Sequence, residues 1–180
     1  MKKTISILFI GFLLIGCSSK SPSKNEYNNT PKWVRTPYMQ GYITGLGIAP
    51  PNRGDDISLQ RSEAMAVARD EIARTVETKV GGFFDKFSES VGVKDKEAFA
   101  RDVKSKIRNV TKQKLKGARV KKTWMGKSGK LYMLMTLESS EVLDILTQKN
   151  SNLEKQDVKF QRFLSEKNLK ELEKELESYD

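Results

Sequence analysis

Tyr42-Ile43-Thr44-Gly45-Leu46-Gly47-Ile48-Ala49 alternates in steps of two, with Tyr42, Thr44, Leu46 and Ile48 on one face and Ile43, Gly45 and Gly47 on the other. Period two marks a strand, and glycines inside a strand point to a bend or to the close approach of another backbone. A phosphate loop would need a Gly-Lys-Ser/Thr ending, which Gly41-x-x-x-Gly45-x-Gly47 lacks. Beyond the loop Pro50-Pro51-Asn52-Arg53-Gly54-Asp55-Asp56 the period changes. From Leu59 to about Val80, Met65, Ala68, Ile72, Val76 and Val80 recur at steps of three and four. That spacing predicts an amphipathic helix, capped by Asp56 or Ser58. Ala64, Ala66, Ala68 and Ala73 keep it thin, which suits close packing on a sheet. Gly81-Gly82 predicts its end or a kink, with Phe83, Phe84 and Phe87 forming the outer end of the core.

Upstream, Pro31-Lys32-Trp33-Val34 opens the fold, and Pro37 predicts extended backbone there. Downstream, Asp95 to about Lys116 predicts a second long helix with Phe99, Val103, Ile107 and Val110 as its apolar stripe. Gly117 closes it. Ala118 to Met125 predicts a strand with Ala118, Val120, Lys122 and Trp124 on one face. Gly126-Lys127-Ser128-Gly129 is a hairpin turn, and Lys130 to Leu137 is the return strand. That return strand is apolar on both faces, which predicts a central strand covered on two sides or a face used in self-association. A third helix starts at Ser139 or Ser140 as cap, with Val142, Ile145 and Leu146 as its apolar side. After Asn150-Ser151-Asn152, helix resumes with Phe160, Phe163 and Leu164, then a seam of Leu169, Leu172, Leu176 and Tyr179. The seam suits docking on the domain or on another copy. The expected fold is α+β: a small antiparallel sheet of about three strands, two long amphipathic helices packed on it, and a C-terminal helix.

The amino terminus reads differently. Lys2-Lys3 precede the apolar run Ile5 to Ile15, and Leu14-Ile15-Gly16-Cys17 follows the order of a secretory signal cut before Cys17. The run is about half the roughly 20 residues a membrane-spanning helix requires. These four residues resemble the lipobox of bacterial lipoproteins. The resemblance implies that the Cys17 thiol takes diacylglycerol and that its freed amine takes a fatty acyl chain such as palmitate. Ser18 to Thr30, rich in Ser, Lys and Asn, reads as a flexible tether. The chain thus divides into a signal at 1–16, a lipidated tether at 17–30, a domain at 31–149 and a helical extension at 150–180.

Composition narrows the chemistry. The chain has 33 Lys/Arg, 23 Asp/Glu, no histidine and one cysteine. With Cys17 given to lipid, the usual general base, zinc ligands and thiol nucleophile are all missing. No cofactor, metal or small-molecule substrate is expected. The net charge of +10 becomes +8 once Lys2 and Lys3 leave with the signal. Lys94 to Lys122 holds twelve Lys/Arg against three Asp/Glu, whereas Glu166 to Asp180 holds six acids against three lysines. On the 95–116 helix the basic residues fall on the solvated back. They lack the interleaved aromatics that stack nucleic-acid bases, so nucleic acid is not the expected partner. Lys104, Arg108 and Lys112 are the candidate contacts for an anionic partner.

Three motifs in order carry a family likeness: Pro31-Lys32-Trp33-Val34 with the Tyr42 to Ala49 strand, Ala64-Met65-Ala66-Val67-Ala68-Arg69-Asp70-Glu71-Ile72-Ala73, and Trp124 to Met135 around the hairpin. Behind a lipobox, they resemble the LPP20 lipoprotein family across roughly residues 31 to 149. The resemblance implies helices packed on a small antiparallel sheet and a noncatalytic protein of the outer membrane. Family members include outer-membrane antigens and components of structures around the flagellar motor. The implied function is therefore a lipid-anchored structural protein that self-assembles or joins an envelope complex, the flagellar motor being one setting. The residues also suit a second class, a binding module for an anionic lipid or glycan acting through the basic 94–122 region. The likeness transfers no catalytic residue, and it does not reach the segment after Asn150.

Overall fold

The computed structural model describes residues 26–90, 115–147 and 162–178, together with Arg101, Ser105 and Arg108. Its main elements are α1 (Lys32–Arg35), β1 (Tyr42–Ala49), α2 (Ile57–Ser90), β2 (Arg119–Met125), β3 (Leu131–Glu138), α3 (Ser139–Thr147) and α4 (Glu166–Glu177). The three strands form one antiparallel sheet in the order β1-β3-β2. The fold is α+β, with one long helix packed on the sheet and a short C-terminal helix. The second long helix expected over 95–116 lies outside the described residues except for Arg101, Ser105 and Arg108, which are helical, and Leu115–Lys116, which begin a 3-10 turn.

The glycine-bearing side of β1 is the core side. Ile43, Gly45, Gly47 and Ala49 are buried and pair with Leu137, Met135, Met133 and Leu131 of β3. The α2 residues above them are small, and Ala64 and Ala68 are fully buried. A Cβ at Gly47 would collide with the Ala64 carbonyl, whose carbon lies 2.7 Å away, and one at Gly45 would press on the Ala68 carbonyl carbon at 3.1 Å and Ile72 Cγ1 at 2.9 Å. The strand glycines therefore serve close approach of a helix backbone. Along α2, Ile72, Val76, Val80 and Phe84 continue the contact and meet Leu137, Val142 and Leu146.

Asp56 caps α2, its Oδ1 accepting the N–H groups of Ser58 and Leu59 at 2.8 and 3.1 Å. The helix does not end at Gly81-Gly82 but continues to Ser90, where this described stretch stops. Each glycine costs about 1 kcal/mol relative to alanine in a helix. Burial of Val80, Phe84 and Ser88 on either side offsets that cost. Phe84 is buried, and Phe83, Phe84 and Phe87 pack around Phe163 with ring centroids 6.0, 5.7 and 5.4 Å away.

Two further expectations change. The lead-in segment contains a helical turn, because the restriction set by Pro37 falls on Thr36 alone (φ −133°) while Pro31 suits a helix start. In β2 the alternation breaks at Lys121: Val120 pairs with Met135, and Lys122 pairs with Leu134. This bulge leaves Val120 facing the core while Lys122 and Trp124 face the other side, so the three do not share one face. The hairpin turn forms as read, with Gly129 at φ +81° and Gly126 N–H donating to the Lys130 carbonyl at 2.8 Å. Gln60 Nε2 ties it to α2 by donating to the carbonyls of Gly129 and Ala49 at 2.7 and 3.2 Å.

Leu131 to Leu137 is buried on both faces. The face away from α2 is covered by the segment around α1, where Val34 is buried and the Thr44 hydroxyl donates to the Pro37 carbonyl. The leucine seam docks on the domain: Leu172 and Leu176 join Phe163 in the core. Ser139, read as a candidate cap, is itself helical and donates its hydroxyl to Glu177 Oε1 at 2.7 Å.

Candidate functional site

Among the described residues, two concavities run along the exposed edge of β1. One cleft of about 310 Å³ is lined by Tyr38, Tyr42, Thr44, Glu71, Lys79 and Ser178, among others. A second, of about 360 Å³, continues over Glu71, Arg74, Thr75, Thr78 and Lys79. Their two central ionisable groups are already engaged by backbone. Glu71 Oε2 accepts the Leu46 N–H at 2.5 Å, a donor that points outward from the edge strand. Lys79 is buried, and its Nζ donates to the carbonyls of Glu175 and Ser178 and to Ser178 Oγ at 3.0, 2.5 and 2.9 Å. It thus places a cation at the C-terminus of α4, where the helix dipole favours one. Glu71 is the single carboxylate lining the clefts among the described residues, so they hold no pair of acids for acid–base hydrolysis.

Lys79→Met should therefore act on stability. It leaves the α4 carbonyls without their donor and is expected to cost about 2 kcal/mol. Urea unfolding measures this, with Lys86→Met as the control, because Lys86 meets Glu175 at 3.8 Å on the exposed surface.

Of the residues singled out from sequence, Cys17, Lys104 and Lys112 lie outside the described residues. Arg108 is helical and exposed, as is Arg101 seven positions earlier. The structure places other basic groups together on β2 and its turn: Arg119, Lys121, Lys122 and Lys127 are all exposed. Lys121 Nζ also sits 5.0 Å over the Tyr42 ring. Among the described residues no group of three or more His, Cys, Asp or Glu could hold a metal ion, and no helix is long and apolar enough to cross a membrane.

Pattern reading missed Gln60, Glu71 and Lys79. Gln60 and Lys79 carried a signal, since both stand in the buried stripe of α2 where the period predicts apolar side chains. Their partners lie up to 99 residues away in sequence, which no local pattern reveals.

Glu26 was also missed. Its carboxylate abuts Gly126 in the hairpin turn, where an added Cβ would lie 3.1 Å from the carboxyl carbon and closer still to Oε1. Oε1 is buried with no hydrogen-bond partner among the described residues. Burial raises the Tyr132 phenol above its ordinary 10.0, and the nearby Glu26 charge adds to the rise. Below the unfolded value both states carry the neutral phenol, and its contribution to stability is intact. As pH climbs past 10.0 the unfolded phenol ionises first, and stability falls until the folded group ionises too. Tyr132→Phe should remove that part of the alkaline loss, seen as a smaller drop in urea midpoint between about pH 9 and about pH 11.

Comparison with curated proteins finds no match to the chain. The model of one protein family, described as LPP20 lipoprotein, matches residues 31–138. That span runs from Pro31, just before α1, to the last residue of β3, and so takes in the whole sheet and α2. Membership implies lipid anchoring in the cell envelope, and on this match the chain belongs to the LPP20 lipoprotein family.

Proposed function

We propose that the chain is a noncatalytic outer-membrane lipoprotein, anchored through acylated Cys17, that self-assembles or joins an envelope complex. The flagellar motor is one such setting. The carrying observation is the family match, which begins 14 residues after the lipobox cysteine and covers the folded sheet and long helix. The clefts support the reading, because their carboxylate and amine are engaged in holding backbone. The test combines three measurements. Cys17→Ala should move the protein from the membrane to the soluble fraction. Crosslinking in cells should recover neighbours of the same chain or of an envelope complex. Light scattering on protein beginning at Ser18 should show assembly if the contacts are between copies. A monomer at high concentration with no crosslinked neighbour would overturn the proposal.

A second reading has its own observation. Arg101 and Arg108 are each helical and exposed within the basic stretch. This favours the binding of an anionic lipid or glycan through the 94–122 region. Reversing Lys104, Arg108 and Lys112 should then abolish a salt-sensitive interaction, and binding indifferent to salt and to those changes would exclude it.

A further inference from the structure

Among the described elements, charge is divided between the two sides of the sheet. On the side away from α2 lie the α1 segment and, by strand register, Arg119 and Lys122 of β2, with Lys121 over the Tyr42 ring. Residues 31–38 and 119–130 together hold seven Lys/Arg and no Asp/Glu. Lys32, Arg35, Arg119, Lys121, Lys122 and Lys127 are exposed among them. Among the described residues, Glu26, tucked against Gly126, and Glu138, paired with Tyr42 at the end of β3, lie on this side. The helices of the opposite side reverse the balance: α2, α3 and α4 hold thirteen Asp/Glu and eight Lys/Arg, a net of −5.

The point where the described chain begins lies on the basic side. Glu26 sits beside the hairpin turn, and only the eight residues 18–25 separate Cys17 from it, nine Cα steps in all. Fully extended, they reach at most about 32 Å, whatever shape they take. An anchor on so short a lead holds the hairpin side within a few screening lengths of the headgroups, given a Debye length of about 8 Å at physiological salt. The acidic helices stand on the far side of the sheet. Both the lead and the charge division thus select one orientation.

We infer that the α1–β2 side of the sheet is a membrane-facing surface, which lies against anionic lipid headgroups and orients the domain with its helices outward. The inference rests on the anchor at Cys17. Each Lys or Arg near an anionic surface adds to the attraction, and the effect fades beyond a Debye length. Half-buried Trp33 of α1 and Trp124 of β2, which pairs with Tyr132, give this surface an apolar component at the headgroup boundary.

The test uses the full lipidated chain, in which acylation of Cys17 leaves no other thiol. A fluorophore is placed through Thr36→Cys on the α1 segment or Thr78→Cys on the outer side of α2, both exposed positions. The protein is reconstituted on vesicles of phosphatidylcholine with or without phosphatidylglycerol, carrying a headgroup quencher. On the anionic vesicles the label at 36 should be quenched about fivefold more than the label at 78. That difference should collapse in roughly 1 M salt, or with Lys121→Glu, Lys122→Glu and Lys127→Glu combined, while co-flotation with vesicles is unchanged. Equal quenching at the two positions, or a preference indifferent to lipid charge, would overturn the orientation and leave the anchor standing. Failure of the wild-type chain to float with any vesicle would overturn the anchor and the orientation with it.

Discussion

Gly47→Ala is expected to destabilise the domain by about 3 kcal/mol, and Gly47→Val by more, although each adds only apolar atoms. The reason is the nature of the neighbour. A Cβ at Gly47 would overlap the Ala64 carbonyl, backbone in the middle of α2, and Ala68 Cβ stands 3.1 Å off. A side chain could rotate away, but a helix backbone moves only with its whole length. Shifting α2 outward would also strip contacts from Gly45, Ile43 and Met133. The same substitution at Gly81 supplies the control. A Cβ there meets nothing within 4 Å, and the backbone is helical. Gly81→Ala should stabilise by roughly 0.5–1 kcal/mol through helix propensity. Opposite signs for one chemical change, read by urea unfolding, separate close packing from propensity. Equal effects at the two positions would refute the account of the β1–α2 contact.

Phe163→Ala carries the other large effect, expected at about 4 kcal/mol. Phe163 is 1 % exposed and is the shared partner of Phe83, Phe84 and Phe87. Truncating it opens a cavity bordered by three rings that the rigid α2 backbone cannot close, and rigid surroundings place such a cost toward the upper end of its range. The loss should be uneven in space. Phe163 precedes α4, which is otherwise held by Leu172, Leu176 and the Lys79 hydrogen bonds. Amide exchange over 166–177 should therefore quicken more than exchange in β3. Uniform quickening would mean that α4 opens only with the whole domain.

The sequence was most legible where an element buries one regular face. The stripe of α2, the strand period of β1 and the hairpin glycines all reported their structure directly, because period and turn chemistry are local. Gly45 and Gly47 even announced a close neighbour, though not that it was Ala64 and Ala68. Legibility failed where distant contacts outweighed local preference. Gly81-Gly82 reads as a break because propensity is counted locally, whereas Val80 and Phe84 are held by residues of β3 and by Phe163. The bulge at Lys121 could not be seen, since an inserted residue preserves composition and merely shifts the phase. Lys79 stood out as polar in an apolar stripe, but its acceptors in α4 are a tertiary fact. For the candidate site, the composition of the basic stretch was plain. Which of its members share a side with Glu26 depends on strand order, which the periods do not specify.

The bonds from Lys79 to α4 also bear on biogenesis. Lys79 and the Glu175 carbonyl are 96 residues apart, and the apolar stripe around Lys79 is completed by Leu172 and Leu176. At about 5–20 residues per second, roughly 5–20 seconds pass between synthesis of the two. Throughout that interval Val76, Val80 and Phe84 lack their final cover. A core that closes so late keeps the nascent chain loose until its last helix is made, the state in which a chain can be threaded across a membrane.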